Sequence, residues 1–332
     1  MAKVVLGLSG GVDSAVSARL LMEKGYEVSG LFLDIGNENS RRDAVDAAGA
    51  LGIELKVLDV SRELEKNVCS PFAQSYLRGE TPNPCVLCNP TVKFASLAAR
   101  ADELGAEFIA TGHYARAQGG AIYKGMPSND QSYMLCRVKR EQAARLILPL
   151  GGYEKCETRA IAERFGMAVA HKPDSMEICF IPDKDYVGWL SRRGELPPGG
   201  SFIYRGEVLG HHEGIYRWTV GQRIPGLYDG RKLYVSEIRP AENEIVVVPW
   251  EELFTRSVEV RDMNWLIDEP SGPIRASVKV RHTKWECPQC TAVPLGGGRV
   301  SIRADSDLRA PARGQAAALY DGDRLLGGGF IM

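Results

Sequence analysis

The sequence predicts an α/β protein in which an N-terminal parallel-sheet domain is followed by two small β-rich modules, the last of them a β-barrel. Three observations predict this. Apolar runs alternate with helical patterns in the first half, and a Ser-Gly-Gly turn follows the first run. A Leu-Pro-Pro-Gly-Gly break at 196–200 then precedes short strand-like runs. We therefore expect domains at 1–195, 196–257 and 258–332.

Strands and helices alternate in the first half. The apolar runs expected to form buried strands lie at 4–8, 28–34, 53–60 and 108–111. The runs with helical periodicity lie at 15–24, 41–51, 92–104 and 154–166. A glycine follows three of these helical runs, at Gly25, Gly52 and Gly105, where glycine commonly ends a helix. This alternation predicts a parallel sheet covered by helices on both faces.

The second half has a different pattern, in which glycine and proline clusters separate short alternating runs. These runs lie at 201–203, 233–238, 244–248, 277–280 and 300–303. The pattern predicts a small β-rich module followed by a compact barrel or sandwich, of which we expect the barrel.

Composition excludes several classes of protein. The 332 residues are 44% hydrophobic and 25% charged, which argues against a disordered chain, a collagen-like repeat or a disulfide-stapled miniprotein. With 41 Lys and Arg against 42 Asp and Glu, the net charge is −1, so RNA binding would need local basic patches.

The cysteines and the apolar runs indicate the compartment. Eight cysteines among apolar positions indicate reduced thiols, and the sequence has no run of about 18 apolar residues that would indicate a membrane span. The N-terminus is typical of a first strand, not a signal peptide, so we expect a cytoplasmic protein.

A turn suited to phosphate follows the first strand. The segment Ser9–Ser14 (SGGVDS) opens a helix, whose first N–H groups are unpaired and carry the positive end of the helix dipole. Its two glycines let the backbone approach an anion, and Ser9 and Ser14 add hydroxyl donors. The turn is neither a Walker loop nor a dinucleotide fingerprint. The alternative is a tight turn without a ligand.

Two cysteines lie in loops beside predicted helices. Cys88 ends the segment Thr81–Cys88 (TPNPCVLC), where two prolines stiffen a loop and the helix dipole favours a thiolate. Cys179 follows a loop and precedes Phe-Ile-Pro. Two thiols that meet in a cleft can pass sulfur or form a transient disulfide. The alternative is an inert buried cysteine, which is our interpretation of Cys69, Cys136 and Cys156.

The phosphate turn resembles the pyrophosphate loop (PP-loop) of ATP pyrophosphatases, which cleave ATP between the α and β phosphates. Further motifs follow in one order: Pro-Asn-Pro-x-x-x-Cys-Asn, Ala-Thr-Gly-His-Tyr-Ala-Arg, Asp-Gln-Ser-Tyr and Ile-Cys-Phe, which begin at residues 82, 110, 130 and 178. With Gly-His-His-Glu-Gly at 210–214 and Thr-Val-Gly-Gln-Arg at 219–223, the set resembles the tRNA-specific 2-thiouridylases, which thiolate the wobble uridine. The likeness covers most of the chain and is loosest at its C-terminal end.

This resemblance implies a PP-loop, adenine-nucleotide-binding domain and an ATP-dependent tRNA-uridine 2-sulfurtransferase. Such an enzyme uses ATP and Mg²⁺ to adenylate the base O2 and takes sulfur from a cysteine persulfide that a sulfur-donor protein supplies. Cys88 matches the nucleophile and Cys179 the persulfide carrier. The residues implied in ATP binding are Gly7, Leu8, Ser9, Gly10, Gly11, Val12, Asp13, Ser14, Leu33 and Gly112. Those implied in tRNA contact are Asn83, Pro84, Cys85, Asn129, Asp130, Gln131, Arg281 and His282.

Two departures from the family pattern bear on the chemistry. The family often has Asp where this chain has Cys85, so Cys85, Cys88 and Cys179 are an alternative ligand set for a [4Fe–4S] cluster. The same thiolation through that cluster and a non-catalytic iron–sulfur RNA-binding protein are then alternative functions. The segment 35–39 is also short and lacks the tryptophan and acidic run usual there. A ligase or amidotransferase acting on a small metabolite remains a further alternative, since it would cleave ATP without RNA.

Other polar residues have two interpretations. Asp13 would support the turn or its metal, or complement the helix dipole, and His113 is more typical of a structural histidine than of a catalytic one. Cys287 and Cys290 form a second Cys-x-x-Cys with no second ligand pair nearby, which favours unligated thiols in a turn.

Two further expectations concern how the substrate and the thiols meet. A loop at 173–182 is expected to bring Cys88 and Cys179 together. The candidate contacts to tRNA phosphates are Arg137, Lys139, Arg140, Arg281 and Lys284.

Overall fold

The computed structural model describes residues 1–173, 178–226, 228, 230–283 and 287–332. Two parts of the sequence predictions lie outside the described residues: the segment 174–177 before Cys179, and Lys284 among the candidate phosphate contacts.

Residues 3–147 contain the strands of a parallel sheet. The strands up to residue 147 are β1 (Lys3–Gly7), β2 (Glu27–Asp34), β3 (Leu55–Asp59), β4 (Phe108–Ala110), β5 (Ala115–Gln118), β6 (Ala121–Lys124) and β7 (Leu146–Ile147). Five of them form one sheet in the order β3-β2-β1-β4-β7, and its pairings are parallel. This confirms the predicted parallel-sheet domain.

Helices cover both faces of this sheet. They are α1 (Val12–Glu23), α2 (Glu38–Leu51), α3 (Ser61–Leu64), α4 (Ser70–Leu77), α5 (Pro84–Cys88), α6 (Phe94–Leu104), α7 (Arg140–Ala144), α8 (Lys155–Arg164) and α9 (Tyr186–Ser191). Val4 and Leu6 of β1 pack with residues of α1 and α2, while Val5 packs with Phe94 and Leu97 of α6. Successive side chains of a strand point to opposite faces, so β1 is buried on both sides.

Two short π-helical segments interrupt the helices. Glu65–Cys69 joins α3 to α4, and Asn89–Lys93 joins α5 to α6. Each of them includes or adjoins a cysteine, since Cys69 ends the first and Cys88 precedes the second. Such segments occur frequently at functional sites.

The central module is a four-stranded sheet. Its strands are β8 (Gly200–Tyr204), β9 (Glu207–His212), β10 (Leu233–Arg239) and β11 (Glu244–Pro249), in the order β10-β11-β8-β9. Its core includes Phe202, Leu233 and Ile245. The predicted β-rich module is therefore present.

The C-terminal part is a closed barrel, as predicted. Its strands are β12 (Phe254–Trp265), β13 (Ile274–Lys279), β14 (Gln289–Gly296), β15 (Arg299–Arg309), β16 (Ala316–Asp321) and β17 (Arg324–Ile331). They follow the order β12-β15-β14-β13-β16-β17, and a pairing of β12 with β17 closes the barrel. The β5–β6 hairpin of the N-terminal domain pairs with β17, which the sequence did not predict. Within the described residues, no helix has both the length and the apolar character needed to cross a membrane.

Candidate active site

The predicted phosphate turn joins β1 to α1 and is closed by its own serines. The Ser9 N–H donates to Ser14 Oγ at 3.1 Å, and Ser14 Oγ donates to the Gly11 carbonyl at 3.0 Å. Gly10 has a φ of +72°, and a Cβ on it would lie 2.6 Å from backbone atoms of Asp43 and Ala44. Only glycine fits there, so the turn is preformed at a helix N-terminus that favours anions.

The residues expected to contact adenosine flank this turn. Leu33 lies near the end of β2 and Gly112 follows β4, the two strands on either side of β1. A Cβ on Gly112 would lie 2.9 Å from the Asp13 carbonyl carbon, so this glycine packs directly against the turn. Open α/β sheets bind ligands beyond the carboxyl ends of their strands. The predicted phosphate and adenosine contacts therefore lie along one edge of the sheet.

Asp13 is bound from two sides. Its Oδ1 accepts a hydrogen bond from the Tyr114 hydroxyl at 2.7 Å, and its two oxygens accept from the Lys155 ammonium at 2.6 and 2.8 Å. Tyr114 precedes β5 and Lys155 begins α8, so Asp13 connects the turn to two distant elements. These contacts favour the interpretation in which Asp13 supports the phosphate turn over the one in which it only complements the helix dipole.

Sequence reasoning missed two lysines beside the turn. Lys155 binds Asp13, while Lys172 Nζ donates to the Gly10 carbonyl at 3.3 Å and to the Asp43 carboxylate. Each of them offsets the charge of a carboxylate, Asp13 or Asp43, next to the expected phosphate site. Lys155 and Lys172 are 142 and 162 residues from Asp13 and Gly10, so no local motif could have identified them.

Cys88 is the last residue of α5. Asn83 caps this helix, because its side-chain oxygen accepts from the Val86 N–H at 3.4 Å. Burial raises the pKa of the Cys88 thiol and the nearby Cys85 raises it further, whereas the Lys93 ammonium lowers it. The expectation of a dipole-stabilised thiolate is therefore wrong for the free protein: Cys88 lies beyond the first turn of α5, and desolvation dominates.

Cys179 belongs to the same group of thiols. Although its side chain is partly exposed, desolvation raises its pKa to about 11, and Cys88 and Cys85 raise it as well. Cys69 is buried, its pKa is raised to about 12 chiefly by burial, and both Cys179 and Cys88 contribute. We call Cys69, Cys85, Cys88 and Cys179 the thiol cluster. The two predicted catalytic cysteines therefore lie near enough for one to affect the pKa of the other, and Cys88 packs in the same core cluster as Ile178 and Phe180 beside Cys179.

A cavity of about 500 Å³ lies beside the thiol cluster. Cys179 and Cys69 line it, together with the segment 35–39 after β2. One wall is an ion pair, in which Arg193 donates to the two oxygens of Glu65 at 2.6 and 2.5 Å. That contact lowers the pKa of Glu65 to about 2. The cavity gives Cys179 an opening to solvent.

The alternative iron–sulfur ligand set is not supported. Across the described ranges, no three or more His, Cys, Asp or Glu side chains are arranged to hold a metal ion, and this includes Cys85, Cys88 and Cys179. Metal ligands must converge on one point, and these three thiols, although they are neighbours, are not arranged in that way. In the second Cys-x-x-Cys, Cys290 lies on β14 with a fully buried side chain, so the predicted turn is a strand start.

One of the three cysteines interpreted as buried is exposed. Cys69 and Cys136 are buried, but Cys156 on α8 is not. The residues that α8 buries are Thr158 and Ala162, which are four positions apart, and Cys156 lies off that face.

The barrel holds the loop that precedes Cys88. The Thr81 N–H donates to the Arg313 carbonyl at 2.7 Å, and Gln315 Nε2 donates to the Thr81 carbonyl at 2.9 Å. Arg261 of β12 lies 3.3 Å from the Glu80 carboxylate. The C-terminal domain therefore fixes the entry to α5, which sequence reasoning did not foresee.

Most residues expected at the tRNA make contacts within the chain. Asp130 accepts from the N–H groups of Gly125 and Ser132, and Gln131 accepts from the Tyr114 N–H. Asn83 caps α5, and Asn129 Nδ2 donates to the Tyr153 carbonyl at 3.3 Å. Pro84 and Cys85 form the first turn of α5, where Cys85 is exposed.

The two predicted tRNA segments meet across the domain boundary. His282 Nε2 lies 3.3 Å from the Asp130 carbonyl oxygen. Arg281 donates to the Val220 carbonyl at 2.6 Å and to that of Ala310, which joins the central module to the barrel. These residues organise one composite surface, although 152 positions separate Asp130 from His282.

The candidate phosphate contacts differ in their availability. Arg140 pairs with Asp268 at 2.7 Å, and Lys139 lies 4.0 Å from Glu141. The Arg137 guanidinium lies 4.3 Å from the centre of the Phe330 ring, and burial lowers its pKa. Of these three side chains, the two exposed ones already have acidic partners.

Comparison with known proteins identifies relatives along the whole chain. Family models described as the tRNA methyl transferase HUP domain, the tRNA methyl transferase PRC-barrel domain and the aminomethyltransferase beta-barrel domain match residues 2–183, 196–249 and 255–331. The tRNA-specific 2-thiouridylase MnmA of Syntrophotalea carbinolica is 42% identical over 345 residues, covering 99% of this chain and 98% of the relative. That of Geobacter metallireducens is 40% identical over 355 residues, covering 99% and 96%. The family descriptions mention methyl transfer, whereas these relatives are named for thiolation.

Proposed function

The chain belongs to the family of tRNA-specific 2-thiouridylases, and we propose that it thiolates the wobble uridine of tRNA by adenylating the base with ATP and then transferring sulfur from a persulfide on Cys179. It is a tRNA-uridine 2-sulfurtransferase by this membership. The adenylation, the persulfide and the roles of single residues are our proposal.

The observation that carries the proposal is that an anion-binding turn and a pair of thiols share one edge of the sheet. The helical run α5–α6 packs through Phe94 and Leu97 against β1, and Gly7 at the end of β1 lies close to Leu97. Because α6 runs back along a parallel strand, Cys88 near its start lies on the carboxyl edge, as the phosphate turn does.

Adenylation activates a poor leaving group. The uridine O2 attacks the α-phosphorus of ATP, the bond to the β-phosphate oxygen breaks, and pyrophosphate leaves. The first N–H groups of α1, which Gly11 caps, have no partner within the helix, and fixed donors of this kind would stabilise the charge that develops on the phosphates. Mg²⁺ would enter with ATP, since phosphate and water oxygens are its preferred ligands.

Sulfur transfer then uses both thiols. The terminal sulfur of the Cys179 persulfide attacks C2 of the base, and AMP leaves with O2. The Cys88 thiolate attacks Cys179 Sγ, so a Cys88–Cys179 disulfide forms and the transferred sulfur stays on the base. The two cysteines are oxidised, the sulfane sulfur is reduced, and an external thiol restores both side chains.

The partners are a tRNA and a protein that delivers the persulfide sulfur. The cavity beside Cys179 supports delivery from solvent, because that side chain is exposed while Cys69 behind it is buried. We propose that the protein acts in the cytoplasm, where thiols stay reduced between turnovers.

The test is to measure pyrophosphate release and 2-thiouridine formation with unmodified tRNA, ATP and a persulfide donor. We expect both products from the wild type. Cys88→Ala and Cys179→Ala should each lower thiouridine formation at least about a hundredfold, as loss of a nucleophile does. Each should still release pyrophosphate in the first turnover, because adenylation needs no thiol.

Cys156→Ala is the matched control, since this exposed thiol lies on α8 outside the thiol cluster. Full thiolation by both Cys88→Ala and Cys179→Ala would contradict the sulfur mechanism. ATP cleavage that needs no RNA would instead favour the small-metabolite ligase.

A further inference from the structure

Lys93 lies one π-helical turn after Cys88 and is partly buried. It ends the segment Asn89–Lys93, in which the Phe94 N–H donates to the Asn89 carbonyl. The i to i+5 spacing of such a turn keeps Lys93 on the side of the helix that carries Cys88. Among the residues that the structure describes, the Lys93 ammonium has neither a carboxylate within ion-pair distance nor a hydrogen-bond acceptor.

The charge of Lys93 acts on both halves of the site. It lowers the pKa of the Cys88 and Cys179 thiols against the effect of burial. It also lowers the pKa of His113, which desolvation already keeps well below its usual value. His113 follows Gly112, the residue that packs against the phosphate turn. The ring of Phe94, the residue after Lys93, has its centre 6.0 Å from that of the His113 ring, so the chain at Lys93 lies between Cys88 and the nucleotide edge.

Neighbouring cations are already neutralised. Lys155 pairs with Asp13, Lys172 with Asp43 and, at the cavity, Arg193 with Glu65. Within the described ranges, the other titratable groups that influence Cys88 or its neighbours are the thiols of Cys85, Cys69 and Cys179, none of which supplies positive charge. A partly buried ammonium without an anion is unfavourable, so its partner is expected to come with the reaction.

The proposed reaction brings two negative charges to this place, the thiolate of Cys88 and the α-phosphate of the adenylated base. We propose that Lys93 is a catalytic residue whose ammonium group binds both of these anions. This inference rests on the proposed function, since the adenylated base is its intermediate. It explains how a thiol that the free protein keeps protonated becomes a nucleophile when the substrate is in place.

The experiment compares Lys93→Met and Lys93→Arg with Lys66→Met, a change of an exposed lysine in the other π-helical segment. The first readout is the rate of Cys88 alkylation by iodoacetamide as a function of pH, without ATP or tRNA, with Cys85 and Cys88 distinguished by fragment-ion mass spectrometry. We expect Lys93→Met to slow alkylation at pH 8 about tenfold, equivalent to a rise of one pKa unit. Lys93→Arg should keep most of the rate, and Lys66→Met should keep all of it.

The second readout is the rate of thiolation measured over a range of tRNA concentrations up to saturation. Loss of one charge that stabilises the transition state should lower the rate about a hundredfold or more in Lys93→Met, with partial recovery in Lys93→Arg and no change in the KM for tRNA. Lys93→Gln replaces Lys93→Met if the latter does not fold. A wild-type thiolation rate in the folded neutral variant would overturn the inference and leave the proposed function intact. A wild-type enzyme that makes no thiouridine would instead refute the proposed function, while the alkylation profile would still report on Lys93.

Discussion

The phosphate turn and the thiol cluster share one edge of the sheet but reach their working state differently. In the turn, Ser14 bonds to Ser9 and Gly11, and Asp13 is bound by Tyr114 and Lys155. In the cluster, Cys88 and Cys179 are free thiols whose pKa values are raised by burial. The turn is ready for an anion before substrate arrives, whereas the cluster is not ready to react.

This difference suits a two-step reaction. A preformed turn lets ATP bind and react first, because fixed dipoles need no reorganisation when charge develops. Protonated thiols are poor nucleophiles and resist unproductive disulfide formation. The order of the two steps would then follow from how the two regions are built. The thiol cluster would become reactive only after the phosphate turn has bound and positioned the phosphates.

The largest expected effect comes from breaking the turn. Gly10→Ala places a Cβ against the backbone of Asp43 and Ala44 at a φ of +72°. A displaced phosphate contact can lower a rate about a hundredfold, so we expect that loss in tRNA-dependent pyrophosphate release. Alkylation of Cys88 should not change, because the cluster does not depend on the turn.

Gly105→Ala is the control for Gly10→Ala. Gly105 also has a positive φ, +61°, but no other group lies within 4 Å of a Cβ placed on it. It should lower stability without lowering pyrophosphate release per folded molecule. Equal losses of activity in the two variants would mean that general strain, not the geometry of the turn, explains the effect.

The comparison also explains what the sequence could predict. The turn is local: a strand, two glycines and a helix start lie within 14 residues, so its place and purpose follow from pattern. The alternation of strands and helices is not needed for that prediction, but the change of pattern near residue 200 located the β-rich half. The loop context singled out Cys88 and Cys179, but their separate roles came from resemblance to a family, since spacing alone did not show that they meet.

The rest depended on contacts between distant parts of the chain. Lys155 and Lys172 reach the turn from 142 and 162 residues away, and the barrel holds Thr81 through Arg313 and Gln315. The thiolate expected at Cys88 was wrong because burial, a tertiary property, outweighs the helix dipole. Sequence patterns carry local geometry well, but they do not report which distant groups desolvate a side chain.

A second, smaller effect tests how the turn is supported. Lys155→Met leaves the Asp13 carboxylate facing the incoming phosphates, whereas Asp13→Asn removes that negative charge. Like charges at close range repel, so we expect pyrophosphate release to fall about thirtyfold in Lys155→Met and about threefold in Asp13→Asn.

The double variant is the diagnostic measurement. If the two side chains act as a pair, Asp13→Asn combined with Lys155→Met should be close to Asp13→Asn alone, because the repulsive charge is gone. Additive losses would show that Lys155 contacts the phosphates itself. Thiol alkylation should remain at the wild-type rate in all three proteins.

The smallest effect concerns the ion pair at the cavity of the thiol cluster. Arg193 lowers the pKa of Glu65 from 4.5 to about 2, so this carboxylate stabilises the fold above pH 4.5 and loses that contribution as the pH falls toward 2. The Glu65 side chain is 45% exposed, and solvent screening limits the contribution to about 1 kcal/mol or less. Glu65→Gln should therefore have a lower urea midpoint than the wild type at pH 7, and this difference should disappear between pH 4.5 and 2.

Glu63→Gln, which changes an exposed acid on α3, should show no such difference in urea midpoint. If the difference in urea midpoint did not change with pH, Glu65 would act through packing. The Arg193–Glu65 ion pair at the cavity would then contribute nothing measurable to stability.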